Sequence, residues 1–257
     1  MDLELQGKVA VVTGASRGIG RAIAEELSRE GMRLVIAARS SELLAEVAAS
    51  CAGEVATLAI DLRDEAAPQK LIDTAIARFG AIDVLVNNAG ATKRGDFLEL
   101  SEDDWHDGFA LKFYANVRGS RAAWPHLVRS RGAIINIVGV GGRTGNAEFA
   151  IGGAVNAAAL NLTKVLADRG VKDGVRVNAI NPGDVATDRL KGRLKKFAEQ
   201  RGIGLEQAAA EMISDIGITR FGEPADIAHA VAFLASSRAS YLQGSIIDID
   251  GGRTRTL

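Results

Sequence analysis

The chain has 257 residues and a formal charge of −1; 47% of it is hydrophobic, 25% charged and 5% aromatic. That composition suits a globular protein with one large core, and a charge this close to zero excludes a broad nucleic-acid-binding surface. The only cysteine, Cys51, excludes an internal disulfide and fits a reducing cytoplasm. The opening "MDLELQGKVAVVTG" has no basic segment followed by an apolar one, and no apolar run reaches membrane-spanning length. A soluble cytoplasmic protein with no membrane partner is expected.

In chain order, short β-branched runs alternate with longer amphipathic stretches. Strands are predicted over 8–13 (KVAVVT), 33–38 (RLVIAA), 54–60 (EVATLAI), 82–87 (IDVLVN), 132–138 (GAIINIV), 174–180 (GVRVNAI) and 245–249 (SIIDI). Helices fall between them, among them Ile19–Glu30, Glu65–Phe79 and Ala225–Ala235. The strands are apolar almost throughout, as strands covered on both faces are. Right-handed crossovers then give an α/β, Rossmann-type doubly wound, mostly parallel sheet of seven strands with helices on both faces. One domain is expected over 1–257. Within it, 187–221 is a long helical insertion before the last strand, a substrate lid over a ligand cleft.

"TGASRGIG", Thr13–Gly20, follows the first strand and opens the first helix. Gly14, Gly18 and Gly20, with Ser16, Arg17 and Ile19 between them, allow a sharp turn and a close approach to a pyrophosphate. The helix N-terminus offers that anion free N–H groups and a partial positive charge. At the end of the second strand an acid would bond ribose hydroxyls. Here "AARS" presents Arg39, with Arg17 nearby in the glycine loop. Two guanidiniums suit a 2′-phosphate, so NADP(H) is favoured over NAD(H).

These stretches, with Asp61–Leu62, "NNAG" at Asn87–Gly90, "NPG" at Asn181–Gly183 followed by Thr187, and a terminal "DGG", occur in the order typical of one family. The chain resembles the short-chain dehydrogenases/reductases, in particular their 3-oxoacyl-acyl-carrier-protein-reductase-like members, over its whole length. The resemblance implies that Asp61, with Leu62, binds the adenine edge. It implies that Asn87, Asn88, Ala89 and Gly90 line the cofactor cleft, and that Pro182, Gly183 and Thr187 sit at the nicotinamide and its carboxamide. It also implies a homotetramer, with helices around Asp103–Leu127 and Glu148–Arg169 packing on their symmetry mates through the small side chains of Ala154, Ala157, Ala158 and Ala159.

Family members usually use a serine, a tyrosine, a lysine four residues later and an asparagine on an earlier helix. Aligned through "LTKVLA" (Leu162–Ala167) and "RAAWP" (Arg121–Pro125), those positions hold Gly139, Gly152, Asn156 and Lys112. Asn116 offers another register for the asparagine. The only tyrosines, Tyr114 and Tyr241, fall elsewhere, and His106, His126 and His229 lie on flanking helices. The glycines at 139, 141, 142, 152 and 153 are expected to leave space beside the nicotinamide. Lys112 is the candidate replacement, an ammonium able to stabilise a developing alkoxide. Asn156 is a weaker one, with Asn146 and Glu148 behind it. No metal site is predicted.

In "DRLKGRLKKF" (188–197) the basic residues read as a solvated face or, more sharply, as attraction for an acidic or phosphate-bearing small-molecule substrate. The leading expectation is an NADP(H)-dependent oxidoreductase acting on a carbonyl/alcohol pair through an atypical site. A non-catalytic NADP(H)-binding sensor, or a lyase or isomerase reusing the cleft, are the alternatives.

Overall fold

The seven apolar runs form the strands β1 Val9–Thr13, β2 Arg33–Ala38, β3 Val55–Ala59, β4 Val84–Asn87, β5 Ala133–Ile137, β6 Arg176–Pro182 and β7 Ile246–Ile249. In this computed structural model, which describes residues 2–255, they make one parallel sheet in the order β3-β2-β1-β4-β5-β6-β7. The ends of the expected 1–257 unit, Met1, Thr256 and Leu257, lie outside the described residues. Every residue of β1, β4 and β5 is buried, as strands sandwiched between helices require.

Among the described residues nine α-helices connect the strands: α1 Gly18–Arg29, α2 Ser41–Ser50, α3 Ala67–Phe79, α4 Glu102–Phe109, α5 Ala115–Ser130, α6 Ala150–Asp173, α7 Asp188–Arg201, α8 Leu205–Ile216 and α9 Pro224–Ala235. On one face, α1 and α9 close over Val12, Leu34, Ile36 and Ile180. On the other, α3 and α5 close over Val11, Val35, Leu85 and Ile134. The chain order reverses between β1 and β4, and the crevice beyond the carboxyl ends of those strands is where such sheets bind ligands.

Two expectations change. The helix expected around Asp103–Leu127 is not continuous: Ala110–Tyr114 forms a wider π-turn between α4 and α5, and Lys112 sits in it. Such single turns redirect side chains and are frequent at functional sites. The helical stretch Ala147–Asp173 contains an 18-residue window of mean hydropathy 1.3 and is by length and composition apolar enough to cross a membrane, against the expectation that no run reaches that length. Its apolarity has a local cause. Ile151, Val155, Ala159 and Leu160 are buried, and the last two pack with Val138 of the strand-end loop and Ala179 of β6.

Candidate functional site

Past the carboxyl ends of the strands runs a cavity of about 1200 Å³. Small-molecule pockets are roughly 300–1,000 Å³, so it has room for a dinucleotide and a second molecule. At one end lies the glycine loop. Gly14 and Gly18 have φ of +66° and +56°, in the left-handed region. A Cβ on Gly14 would stand 2.8 Å from the Ala89 Cα, and one on Gly20 would overlap the Gly14 carbonyl and the Asn88 amide. The loop is clamped from β4: Asn88 Nδ2 donates to the Thr13 and Gly14 carbonyls at 2.9 and 3.1 Å. Thr13 Oγ1 accepts from the Asn88 and Ala89 N–H groups at 2.9 and 3.0 Å. Asn88 and Ala89 thus shape the cradle.

The α1 N-terminus is open. Arg17 occupies the cap position without a side-chain capping bond, and no acid stands in the first turn. Its N–H groups are available to an anion, and Ser16, Arg17, Gly18, Ile19 and Gly20 all line the cavity. Arg39, exposed at the end of β2, lines the same end. Asp61 and the buried Leu62 close it from β3. Burial would raise the Asp61 carboxyl, but the backbone N–H and guanidinium of Arg63, bonded at 3.0 and 3.2 Å, outweigh it and hold the group below the usual carboxylate range. This cradle fits a dinucleotide, on the evidence of its excluded Cβ positions and its uncapped helix.

The other end is built differently. Lys112 reaches across Gly90, where a Cβ would press on its stem at 3.0 Å, and its Nζ donates to the Val138 carbonyl at 2.6 Å. Burial first, and the neighbouring Arg189 second, lower its pKa to about 7. Asn156, buried on α6, directs Nδ2 to the Gly139 carbonyl at 3.4 Å, while its Oδ1 is buried without a partner. Gly139 itself has φ +128° and donates its N–H to Asn181 Oδ1 at 3.2 Å. Pro182, Gly183 and Thr187 form the opposite wall at the end of β6. The "DGG" turn lies behind it: a Cβ on Gly183 would meet Asp250 at 2.7 Å, and Asp250 accepts from the Gly252 and Thr254 N–H groups.

The structure therefore brings Lys112, Gly139 and Asn156 to one place but corrects what surrounds them. The glycines do not leave a void. The Phe149 ring lies over Gly152, where any Cβ would overlap it, and at 2.8 Å from a Cβ on Gly141. A Cβ on Gly142 would meet the Asn156 and Ala157 backbone at 2.9 Å. Phe149 lines the cavity in place of Gly152. Sequence reading missed this ring, although Phe149 precedes Gly152 by three residues, a spacing that stacks side chains on one helical face.

Arg94 was missed too; its guanidinium lies 4.2 Å from the centre of the Phe149 ring and it lines the cavity. Asn146 is at the rim, capping the turn that holds Phe149, and Glu148 is exposed. Asn116 is buried in α5 and does not line the cavity. Tyr114, His106, His126, His229 and Tyr241 lie outside the cavity as well. Of the basic residues at 188–197, only Arg189 and Arg193 line it; Lys191, Lys195 and Lys196 are exposed.

A parallel sheet in this order, with an open helix terminus at its switch point, defines a Rossmann-type nucleotide-binding protein. The family described as Enoyl-(Acyl carrier protein) reductase matches residues 14–254. The chain is 35% identical over 253 residues to meso-2,3-butanediol dehydrogenase of Serratia marcescens, covering 98% of this chain and 96% of that protein. It is 36% identical over 250 residues to the 3-oxoacyl-acyl-carrier-protein reductase of Haemophilus influenzae, covering 96% and 98%. L-Sorbose reductase from Gluconobacter frateurii, solved with NADPH and L-sorbose, superposes with a TM-score of 0.95 at 33% identity over the whole of both chains. The chain belongs to the short-chain dehydrogenase/reductase family, whose members are NAD(P)-dependent oxidoreductases.

Proposed function

We propose that the protein is an NADP(H)-dependent oxidoreductase that interconverts a carbonyl and an alcohol through an atypical site, with Lys112 managing the proton. The observation that carries this is the meeting, in one cavity, of the glycine cradle and the Lys112 ammonium. The nicotinamide, when bound, supplies or takes the hydride. The α1 terminus and the loop Gly14–Gly20 hold the pyrophosphate, and Arg17 and Arg39 pair with the 2′-phosphate. Asp61 faces the adenine edge, with Leu62 beneath it. Pro182, Gly183 and Thr187 would hold the nicotinamide and its carboxamide. The unpartnered Asn156 Oδ1 would accept from a nicotinamide-ribose hydroxyl, a bond that would relieve a buried, unsatisfied acceptor.

Lys112 has three N–H donors and spends one on Val138. The others are free for a substrate oxygen. With a pKa near 7, the group can give a proton to a forming alkoxide and take one back in the reverse direction. Helices α7 and α8, inside the 187–221 insertion, act as the substrate lid; Arg189 ties it to the core by donating to the Gly90 carbonyl at 3.0 Å. The exposed Ala154 and Ala157 on α6 suit close packing of a second copy, in keeping with a homotetramer, whereas Ala159, expected on the same face, is buried against Val138 and Ala179; the single cysteine suits a cytoplasmic setting.

A specific observation favours a second reading, an NADP(H)-binding sensor without turnover: Phe149 fills the space over Gly152, and Lys112 already has a carbonyl partner. Nicotinamide absorbance, followed with NADPH and a panel of aldehydes, ketones and 3-oxoacyl thioesters, separates the two. Consumption of NADPH in proportion to added carbonyl is expected. Tight NADPH binding with no consumption across the panel leaves the sensor.

A further inference from the structure

The cations at the reaction end are not equally engaged. Arg193 and Arg253 both pair with the buried carboxylate of Asp184, which neutralises much of their charge. At the opposite, adenine end, Arg63 is likewise held by Asp61 and Asp107. Arg94 and Arg189 differ: among the described residues neither has a carboxylate within ion-pair distance, and both line the cavity. Two carboxylates lie near Arg94. Asp184 is taken by its two arginines, and Glu148 is exposed at the rim and makes no ion pair with Arg94.

Both guanidiniums are nonetheless held in place. Arg94 lies 4.2 Å from the centre of the Phe149 ring, which is itself seated against Gly141 and Gly152. Arg189 is fixed by its bond to the Gly90 carbonyl, next to the stem of Lys112. They therefore flank the Lys112 end of the cavity from the Phe149 wall and from the lid. Arginines left without a counter-ion in a cleft, each fixed by a planar or single contact, keep most of their fork of donors for a planar or tetrahedral anion.

We infer that the substrate carries an anionic group, a carboxylate or a phosphate a few atoms from the reacting carbonyl, held between Arg94 and Arg189. This rests on the oxidoreductase reading for the carbonyl but not for the anion. It also refines the sequence expectation for the basic stretch 188–197, where Arg189 alone is both unpaired and turned to the cavity.

The test compares matched pairs: 4-oxopentanoate against 2-pentanone, and dihydroxyacetone phosphate against dihydroxyacetone. Each is titrated calorimetrically into the full-length protein saturated with NADP⁺, a form that cannot reduce a ketone. At least one charged probe is expected to bind about tenfold or more tightly than its neutral partner, the equivalent of one charge-assisted bond. The pair showing that preference identifies the group. Arg94→Met and Arg189→Met should each abolish most of it, and Arg94→Lys should restore part.

Melting temperatures control for folding; if Arg189→Met melts early, the Arg94 pair of variants decides. Equal affinity for charged and neutral probes, absence of binding by all four, or a preference that survives Arg94→Met overturns the inference. Turnover of the same probes with NADPH keeps the two claims apart. An Arg94-dependent anion preference with no NADPH consumption by these probes or by the carbonyl panel removes the oxidoreductase reading and leaves the anion site. Turnover of neutral ketones with no anion preference does the reverse.

Discussion

The two ends of the cavity are built on different terms. At the phosphate end, backbone does the work: two glycines in left-handed conformation, an uncapped helix, and Asn88 and Thr13 holding the turn shut. At the reaction end, side chains do it: Lys112 on a π-turn, Asn156 with an open acceptor, Phe149 over a glycine that would not tolerate a Cβ. A backbone site follows from conformation and changes little with side-chain identity. A side-chain site is free to diverge while the fold and the cradle remain. The difference teaches that the capacity to bind a dinucleotide and the capacity to do chemistry on a carbonyl are separable here.

The largest effect that would sharpen this separation is on turnover. Lys112→Met should lower the rate by about 10²–10⁴-fold, the usual contribution of a positioned proton donor, with NADPH affinity nearly unchanged. In the wild type, carbonyl reduction needs the ammonium and should fall as pH rises through about 7, whereas alcohol oxidation needs the free amine and should rise there. A pH–rate profile of the methionine variant should show neither limb. Normal turnover in that variant would remove Lys112 from the mechanism.

Next in size is the cofactor preference. Arg39→Asp removes one guanidinium from the 2′-phosphate and adds repulsion. Charge-assisted bonds are worth roughly 1.5–3 kcal/mol, so NADPH affinity should fall about tenfold to a hundredfold while NADH affinity holds or improves. Fluorescence titrations with both nucleotides measure this. Equal affinities in the wild type, unmoved by the substitution, would break the assignment.

What could be read without coordinates divides along the same line. β1, β4 and β5 were legible because a strand buried on both faces has a continuous apolar run, and the glycine loop because its spacing reports backbone conformation directly. The positions of Lys112, Gly139 and Asn156 followed from the family resemblance, aligned through Leu162–Ala167 and Arg121–Pro125. Their surroundings did not. The bond from Lys112 to Val138 spans 26 residues, and the two arginines on Asp184 arrive from positions 193 and 253. No local pattern encodes such pairings. The π-turn at Ala110–Tyr114 was also hidden, since its residues suit an ordinary α-helix.

Phe149 provides a third test, on stability. Gly152→Ala would drive a Cβ into the ring, and overpacking of this kind costs about 1–3 kcal/mol. In a Phe149→Ala background the clash is gone, and the same substitution should instead stabilise α6 by about 0.5–1 kcal/mol, the helical advantage of alanine over glycine. Urea denaturation of the four proteins gives the cycle. The same sign in both backgrounds would mean that Phe149 does not occupy the space over Gly152.

A further test separates the cost of placing Lys112 from its use. Its folded-state pKa is about 7, below the value near 10.4 of an exposed lysine. Between those limits the unfolded chain holds a proton that the folded one has lost, so stability contributed by this group rises with pH from about 7 to 10 and is at its minimum below 7. Lys112→Met removes that dependence. It also strips the Val138 carbonyl of its donor, a loss that is constant with pH and of opposite sign. The slope between the two proteins is therefore the diagnostic quantity. The stability of the variant relative to wild type should be greatest near pH 6 and should decline toward pH 10. Denaturation curves at pH 6, 8 and 10 measure it. Parallel pH dependence in the two proteins would mean that Lys112 stays charged throughout, and the proton-transfer role would then pass to solvent.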